Sequence, residues 1–133
     1  MIEEETTRRF DFGALRNAIE GGDPDLLLSF YAEDAELRVV NAASPQGTAF
    51  ELKGRSQIER YLRALSDQQM SWVLEGEVVF GEGSIAFGQV CAYPDGTRVG
   101  VGTRLEIAEG LIGRQTDVAR GARRDDGSER GER

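Results

Sequence analysis

The sequence predicts a single domain of the α+β class, with three helices in the first half of the chain and a mainly antiparallel sheet in the second. Before residue 70, apolar residues recur at helical spacing in three stretches. After residue 70, apolar and polar residues alternate, and short turns rich in glycine separate the alternating runs. A chain of 133 residues with 39% hydrophobic content is long enough for one core. We place the domain at residues 1–120 and expect the charged segment 121–133 to be disordered.

The first and third helices have clear apolar faces. A stripe of Phe12, Leu15 and Ile19 predicts the first helix, which should end at the glycine pair 21–22. The third helix is expected to begin with Ser56 as its N-cap, because Glu59 follows three residues later as in a capping box. Its buried face is predicted from Ile58, Tyr61, Leu62 and Leu65.

The second helix begins at a strong start signal. Asp23 is a favourable N-cap, and Pro24 suits the first helical position, where no N–H is needed. Leu27, Phe30 and Tyr31 follow at helical spacing, so this helix is predicted to continue to about residue 34. A strand should follow it, and residues 48–52 could form a second short strand.

The strands after residue 70 have two different faces. Parity along the elements places bulky residues inside: Leu15, Phe30, Val39, Trp72, Phe87 and Leu105. The opposite parity gives a flat, small, apolar outer face: Ala86, Gly88, Val90, Ala92, Gly100, Gly102, Ile112 and Val118. Because such a face favours being covered, we predict a homodimer formed through it.

Composition excludes several classes of function. The net charge of −8 disfavours binding to nucleic acid or to an anionic membrane surface. The chain has no histidine, so histidine-based catalytic triads and histidine-ligated metal sites are excluded. No carboxylate spacing is typical of a calcium or magnesium loop, and we expect no metal and no cofactor. The chain also lacks a signal-peptide pattern and a membrane-spanning apolar run, which indicates a cytoplasmic protein.

Three short stretches carry a family resemblance. They are Gly22-Asp-x-x-x-Leu27, Phe30-Tyr-Ala-Glu-Asp-Ala35 and Leu52-Lys-Gly-Arg-Ser-Gln-Ile58. Together they resemble the opening half of nuclear transport factor 2-like domains, a superfamily that includes ketosteroid isomerases, limonene epoxide hydrolases and SnoaL-like polyketide cyclases. The resemblance implies a cone, in which three helices pack on a strongly curved sheet around an internal pocket.

Two of the chemistries in that superfamily need residues that this chain lacks. The positions that carry the base, the tyrosine and the protonated aspartate of the ketosteroid isomerases hold Val39, Leu15 and Thr103 here. The Arg-x-Asp pair of the epoxide hydrolases is absent around residues 89–91. The resemblance therefore does not extend to steroid isomerisation or epoxide hydrolysis.

One acidic residue does match. In the SnoaL-like cyclases an aspartate follows an isoleucine at the spacing of Ile112 and Asp117, although their usual preceding tryptophan is Thr116 here. The resemblance thus implies Asp117 as a general base acting on a hydrophobic, carbonyl-bearing small molecule. Gln115, Gln89 or Tyr31 would then hydrogen-bond the developing enolate. The remaining candidate pocket residues are Val39, Trp72, Phe87, Cys91, Thr103 and Leu105.

A non-catalytic role is the alternative. Asp117 could instead be a structural carboxylate, Cys91 a small core residue, and Tyr31 and Tyr61 core residues with bonded hydroxyls. The domain would then bind an apolar ligand or only pair with another chain. An enzyme should have an open cavity of several hundred cubic ångströms with converging polar groups, whereas a pairing module should have a filled cone.

Overall fold

A computed structural model describes residues 10–41 and 49–124. Within these residues the helices are α1 (Phe12–Gly21), α2 (Pro24–Leu28) and α3 (Arg55–Asp67). Its strands are β1 (Tyr31–Asn41), β2 (Ala49–Lys53), β3 (Ser71–Gly81), β4 (Ser84–Ala92), β5 (Thr97–Ala108) and β6 (Leu111–Arg124). The predicted α+β class is confirmed, and the element order agrees with the sequence pattern.

The six strands form one sheet in the order β2-β1-β6-β5-β4-β3. All neighbouring strands are antiparallel except β1 and β6, which run parallel. Bulges interrupt the pairing of β3 with β4 and of β5 with β6, and bulges of this kind bend a sheet. The main core cluster joins the helices to the inner face through residues such as Leu15, Ile58 and Ile85. A curved sheet covered by helices gives the expected cone.

The first helix is fixed at both ends. The Asp11 side chain accepts a hydrogen bond from the Ala14 amide, and Gly22 closes the helix in a left-handed conformation with φ 65°. Near that end, a Glu20 carboxylate oxygen accepts a hydrogen bond of 2.9 Å from the Leu74 amide on the edge strand β3. These contacts hold α1 across the open edge of the sheet.

The second helix is shorter than the sequence pattern predicts. It ends at Leu28, and Phe30 and Tyr31 are not helical, so the prediction of one helical face through Tyr31 is wrong. The Phe30 carbonyl accepts a 2.8 Å hydrogen bond from the Ile112 amide, and Tyr31 pairs with Ile112. Pairing with β6 therefore overrides the local helical spacing, because a short apolar run fits a helix and a buried strand equally well.

The predicted capping box of the third helix is also wrong. The N-cap is Gly54, which has φ 92° and provides no side chain, and Ser56 lies inside the first turn. The Gln57 side chain reaches back instead and accepts a 2.8 Å hydrogen bond from the Lys53 amide. The Gly54 amide donates to the Ala35 carbonyl, so contact with β1 fixes where this helix begins.

Strand β6 departs from simple alternation. Glu106 pairs with Arg114 but Ile107 pairs with Ile112, so Gly113 is an extra residue in this strand. The bulge turns Ile112 inward, where it is fully buried, and its predicted place on the outer face is wrong. Strand β6 also continues to Arg124, past the predicted domain boundary at residue 120, and residues 125–133 lie outside the described chain.

Candidate functional site

A cavity of about 330 Å³ lies between the helices and the inner face of the sheet. Its polar lining comprises the side chains of Tyr31, Tyr61, Ser66, Gln89, Gln115 and Asp117. Its apolar lining includes Leu15, Ile19, Leu27, Leu37, Leu62, Leu65, Met70, Trp72, Phe87, Leu105 and Ile112. Among the described residues, Asp117 supplies the only carboxyl group of this lining, and no Arg or Lys contributes to it. The cavity is therefore mainly apolar, with one acidic group in its wall.

Four polar side chains form a hydrogen-bonded chain that leads to Asp117. On one side, the Tyr31 hydroxyl donates to Gln115 Oε1 at 2.6 Å, and Gln115 Nε2 donates to Asp117 Oδ1 at 3.0 Å and Oδ2 at 3.2 Å. On the other side, Gln89 Nε2 donates to Thr103 Oγ1 at 2.8 Å, and Thr103 Oγ1 donates to Asp117 Oδ1 at 3.0 Å. Each hydrogen bond of this series is thus donated in the direction of the Asp117 carboxylate.

The strand register brings these groups together. Asp117 on β6 pairs with Val39 on β1 and with Thr103 on β5, and Thr103 in turn pairs with Phe87 on β4. Gln115 lies on the same inner face as Asp117, two residues earlier in the strand. Oδ1 of Asp117 accepts two bonds, whereas Oδ2 accepts only the longer contact from Gln115. Oδ2 is therefore the oxygen better able to accept a proton from a ligand.

Burial shifts the proton affinity of Asp117. Removal from water raises the pKa of this carboxyl from 3.8 to about 6, while the hydrogen bonds from Gln115 and Thr103 act in the opposite direction. A carboxyl group with a pKa near 6 is a stronger base than an ordinary aspartate and is still mostly ionised at neutral pH. The site thus places a carboxyl group with a raised pKa in the wall of a mainly apolar cavity.

The tyrosines of the cavity remain protonated hydroxyl donors. Burial and then the charge of Asp117 raise the pKa of Tyr31 far above its usual range, and the same two causes raise the pKa of Tyr61 to about 12. The Tyr61 ring packs edge-on against Phe50, with centroids 5.5 Å apart. Its hydroxyl has no hydrogen-bond partner among the residues the structure describes. Tyr61 is therefore a donor available to a ligand.

Most of the pocket residues expected from the sequence line this cavity. They are Tyr31, Trp72, Phe87, Gln89, Leu105, Gln115 and Asp117. Three others lie behind the wall: Val39 packs against the core, Thr103 supports Asp117, and Cys91 is buried. Burial also raises the pKa of the Cys91 thiol to about 11, which disfavours the thiolate form.

Sequence reasoning missed the contribution of α3. Tyr61 was expected in the core, yet it is only half-buried and lines the cavity together with Leu65 and Ser66. Ile58 and Leu62 are the deeply buried residues of this helix. Position on the helix surface could have distinguished the residues that line the cavity from those in the core. Residues 61 and 65 lie one helical turn apart, in a row beside the buried pair of Ile58 and Leu62.

The model of the SnoaL-like domain family matches residues 12–115, which is most of the chain. The chain belongs to the SnoaL-like domain family. The matched span of this SnoaL-like chain ends just before Asp117, so membership alone does not assign a role to that residue. No curated protein matches the sequence.

Solved structures share the fold of this SnoaL-like chain at low sequence identity. A Kribbella flavida protein proposed to be a ketosteroid isomerase has 20% identity and a TM-score of 0.71, over 92% of this chain and 83% of that one. An NTF-2 like protein of unknown function from Burkholderia xenovorans has 18% identity and a TM-score of 0.70, over 98% of this chain and 95% of that one. A proposed polyketide cyclase from Sinorhizobium meliloti has 19% identity and a TM-score of 0.61, over 84% of this chain and 97% of that one. These likenesses establish the fold alone.

The described residues offer neither a cluster of metal ligands nor a helix that could span a membrane. No three or more Cys, Asp or Glu side chains among residues 10–41 and 49–124 converge as metal ligands would. In the same part of the chain, each helix is too short or too polar to cross a bilayer.

Proposed function

We propose that this SnoaL-like protein is a cofactor-free, cytoplasmic enzyme that performs acid–base chemistry on a hydrophobic, carbonyl-bearing small molecule. The observation that carries the proposal is the position of Asp117, an aspartate with a raised pKa in the wall of an apolar cavity. The cavity volume of about 330 Å³ lies near the lower end of the range for small-molecule sites, which is roughly 300–1,000 Å³. Such a volume suits a compound of one or two rings better than a long chain.

The proposed reaction begins with proton transfer to Asp117. Oδ2 takes a proton from the carbon beside the substrate carbonyl, and the electron pair of the C–H bond moves toward the carbonyl oxygen to form an enolate. In an isomerisation, the substrate is a β,γ-unsaturated ketone, its enolate is a conjugated dienolate, and Asp117 returns the proton to the γ-carbon as the double bond moves into conjugation. In a cyclisation, the enolate carbon attacks a second carbonyl of the same substrate, and Asp117 protonates the new alkoxide. Either route needs a hydrogen-bond donor at the first carbonyl oxygen.

Exchange of hydrogen for deuterium tests the first step without knowledge of the natural substrate. The probe is 2-tetralone, a two-ring ketone, incubated in D2O and followed by proton NMR. We expect wild type to accelerate exchange beside the carbonyl, with a rate that rises as a group with a pKa of about 6 ionises. Asp117→Asn should abolish the acceleration, and Asp67→Asn on the exposed end of α3 should retain it. Equal exchange by wild type and Asp117→Asn would refute the assignment of the base.

We also propose that two copies pair through the outer sheet face. Its residues on β4 and β5 are half-buried in the single chain and alternate with buried ones: Ala86, Gly88, Val90, Ala92, Gly100 and Gly102. Light scattering at micromolar concentration should give twice the mass of the 14.6 kDa chain. Val90→Arg, which places a charge at the centre of this face, should give the monomer mass. A wild-type monomer at that concentration would contradict the proposal.

A further inference from the structure

We propose that Tyr61 is the residue that donates a hydrogen bond to the ligand carbonyl, and that the cavity selects uncharged ligands over anions. The inference rests on the proposed function for the identity of the site. It goes further by assigning a role to a residue of α3 that sequence reasoning had placed in the core. Its support comes from the hydrogen-bond partners of each tyrosine and glutamine around Asp117.

The other candidate donors already take part in the hydrogen bonds that lead to Asp117. A tyrosine hydroxyl has a single hydrogen, and that of Tyr31 is given to Gln115 Oε1. Gln115 Nε2 contacts both oxygens of Asp117, and Gln89 Nε2 gives one of its two hydrogens to Thr103. Moving any of these bonds to a ligand would leave a buried acceptor unsatisfied, which is costly. Tyr31 and Gln115 are thus committed to holding Asp117, whereas Gln89 keeps one amide hydrogen and is the second candidate donor.

Tyr61 has the opposite arrangement. Its hydroxyl has no partner among the described residues, and the residue contributes to the cavity wall. The edge-on contact with Phe50 restricts the ring and therefore the position of the hydroxyl oxygen. Tyr61 and Asp117 line the same cavity, so the two groups face a common space. A carbonyl oxygen bonded to Tyr61 would therefore lie near the base.

The charge of the cavity determines the ligand class. Asp117 is the only ionisable group in the described lining that carries charge at neutral pH, and it is an anion. A ligand carboxylate or phosphate would meet this negative charge, and no Arg or Lys in the described part of the lining offsets it. An uncharged ketone avoids that repulsion and can still accept a hydrogen bond from Tyr61.

Direct binding of three matched two-ring compounds tests both parts. The compounds are 2-tetralone, the hydrocarbon tetralin, and the anion 1,2,3,4-tetrahydro-2-naphthoate, measured by titration calorimetry at pH 8. Trp72, the single tryptophan of the chain, lines the cavity and provides a second readout through its fluorescence. We expect the anion to bind at least tenfold more weakly than the ketone, and Asp117→Asn to reduce that difference.

The variant Tyr61→Phe removes only the hydroxyl and keeps the ring that packs against Phe50. It should weaken 2-tetralone about threefold to tenfold, the effect of one hydrogen bond, and leave tetralin unchanged. The control is Tyr93→Phe, which alters the one tyrosine outside the cavity lining and should change neither compound.

Two results would overturn the inference. An unchanged affinity of Tyr61→Phe for 2-tetralone, or an equal loss for tetralin, would show that the hydroxyl is not the donor. An anion that binds as tightly as the ketone would refute the selection by charge. Because these measurements need no turnover, failure of the deuterium exchange with intact binding would remove the catalytic proposal and leave this one.

Discussion

The variant Asp117→Asn should become more stable relative to wild type as the pH rises. In the folded chain the pKa of Asp117 is about 6, against 3.8 for an ordinary aspartate. The difference corresponds to about 3 kcal/mol, at 1.36 kcal/mol for each pKa unit. Well below pH 3.8 the carboxyl is neutral in both states and imposes no cost. Well above pH 6 both states carry the charge, and the folded state bears the full cost of burying it.

The expected quantity is therefore a change with pH in the stability difference between variant and wild type. Between pH 4 and pH 7.5 the free energy of unfolding of Asp117→Asn should rise relative to wild type by about 2 to 3 kcal/mol. The amide also alters the bonds with Gln115 and Thr103, but that effect is the same at every pH because the amide does not titrate. Only the pH-dependent part measures the buried charge.

Urea unfolding followed by Trp72 fluorescence at several pH values gives this difference directly. Asp67→Asn, an exposed carboxyl at the end of α3, is the matched control and should stay within about 0.5 kcal/mol of wild type throughout. A stability difference for Asp117→Asn that does not vary with pH would refute a raised pKa. A change of the opposite sign would mean that the ionised carboxylate stabilises the fold as a hydrogen-bond acceptor.

Three further substitutions test the support of the site and the end of α1. Tyr31→Phe leaves a buried amide oxygen without its donor and should cost about 1–3 kcal/mol in urea unfolding. Thr103→Val removes a donor from Asp117 and should raise its pKa above 6, seen as a higher midpoint in the pH dependence of stability. Gly22→Ala should cost about 1 kcal/mol in thermal unfolding because of the positive φ, whereas Gly21→Ala should not destabilise.

The alternating strands were predictable because their signals are local. In β4, residues 85, 87, 89 and 91 are buried and their neighbours are not, as strict alternation requires. The turns between β3, β4, β5 and β6 also fall where glycine marks them. Ile112 was misplaced because one extra residue, Gly113, changes the parity of β6. An isolated glycine inside a strand pattern is the local signal for such a bulge, but it does not by itself fix the register of the strand.

The site was only partly predictable for a related reason. Asp117 and Gln115 are two residues apart on one strand, so their shared face follows from local parity. The bond between Tyr31 and Gln115 joins residues 84 positions apart and depends on the parallel pairing of β1 with β6. The same pairing also ends the second helix early. One long-range contact therefore explains why that helix was predicted too long and why the bond from Tyr31 to Gln115 was not predicted.

The number of donors around Asp117 determines what the residue can do. With no donors, burial alone would raise its pKa further, and a smaller fraction of the carboxyl would be ionised at neutral pH. With more donors its pKa would fall toward that of an exposed aspartate, and it would be a weaker base. The bonds from Gln115 and Thr103 offset part of the burial effect and leave the pKa at about 6. The carboxyl is then roughly nine-tenths ionised at pH 7 while remaining more basic than in water. Tyr31 and Gln89 fix this balance without touching the carboxylate, because each holds one of its two donors in place.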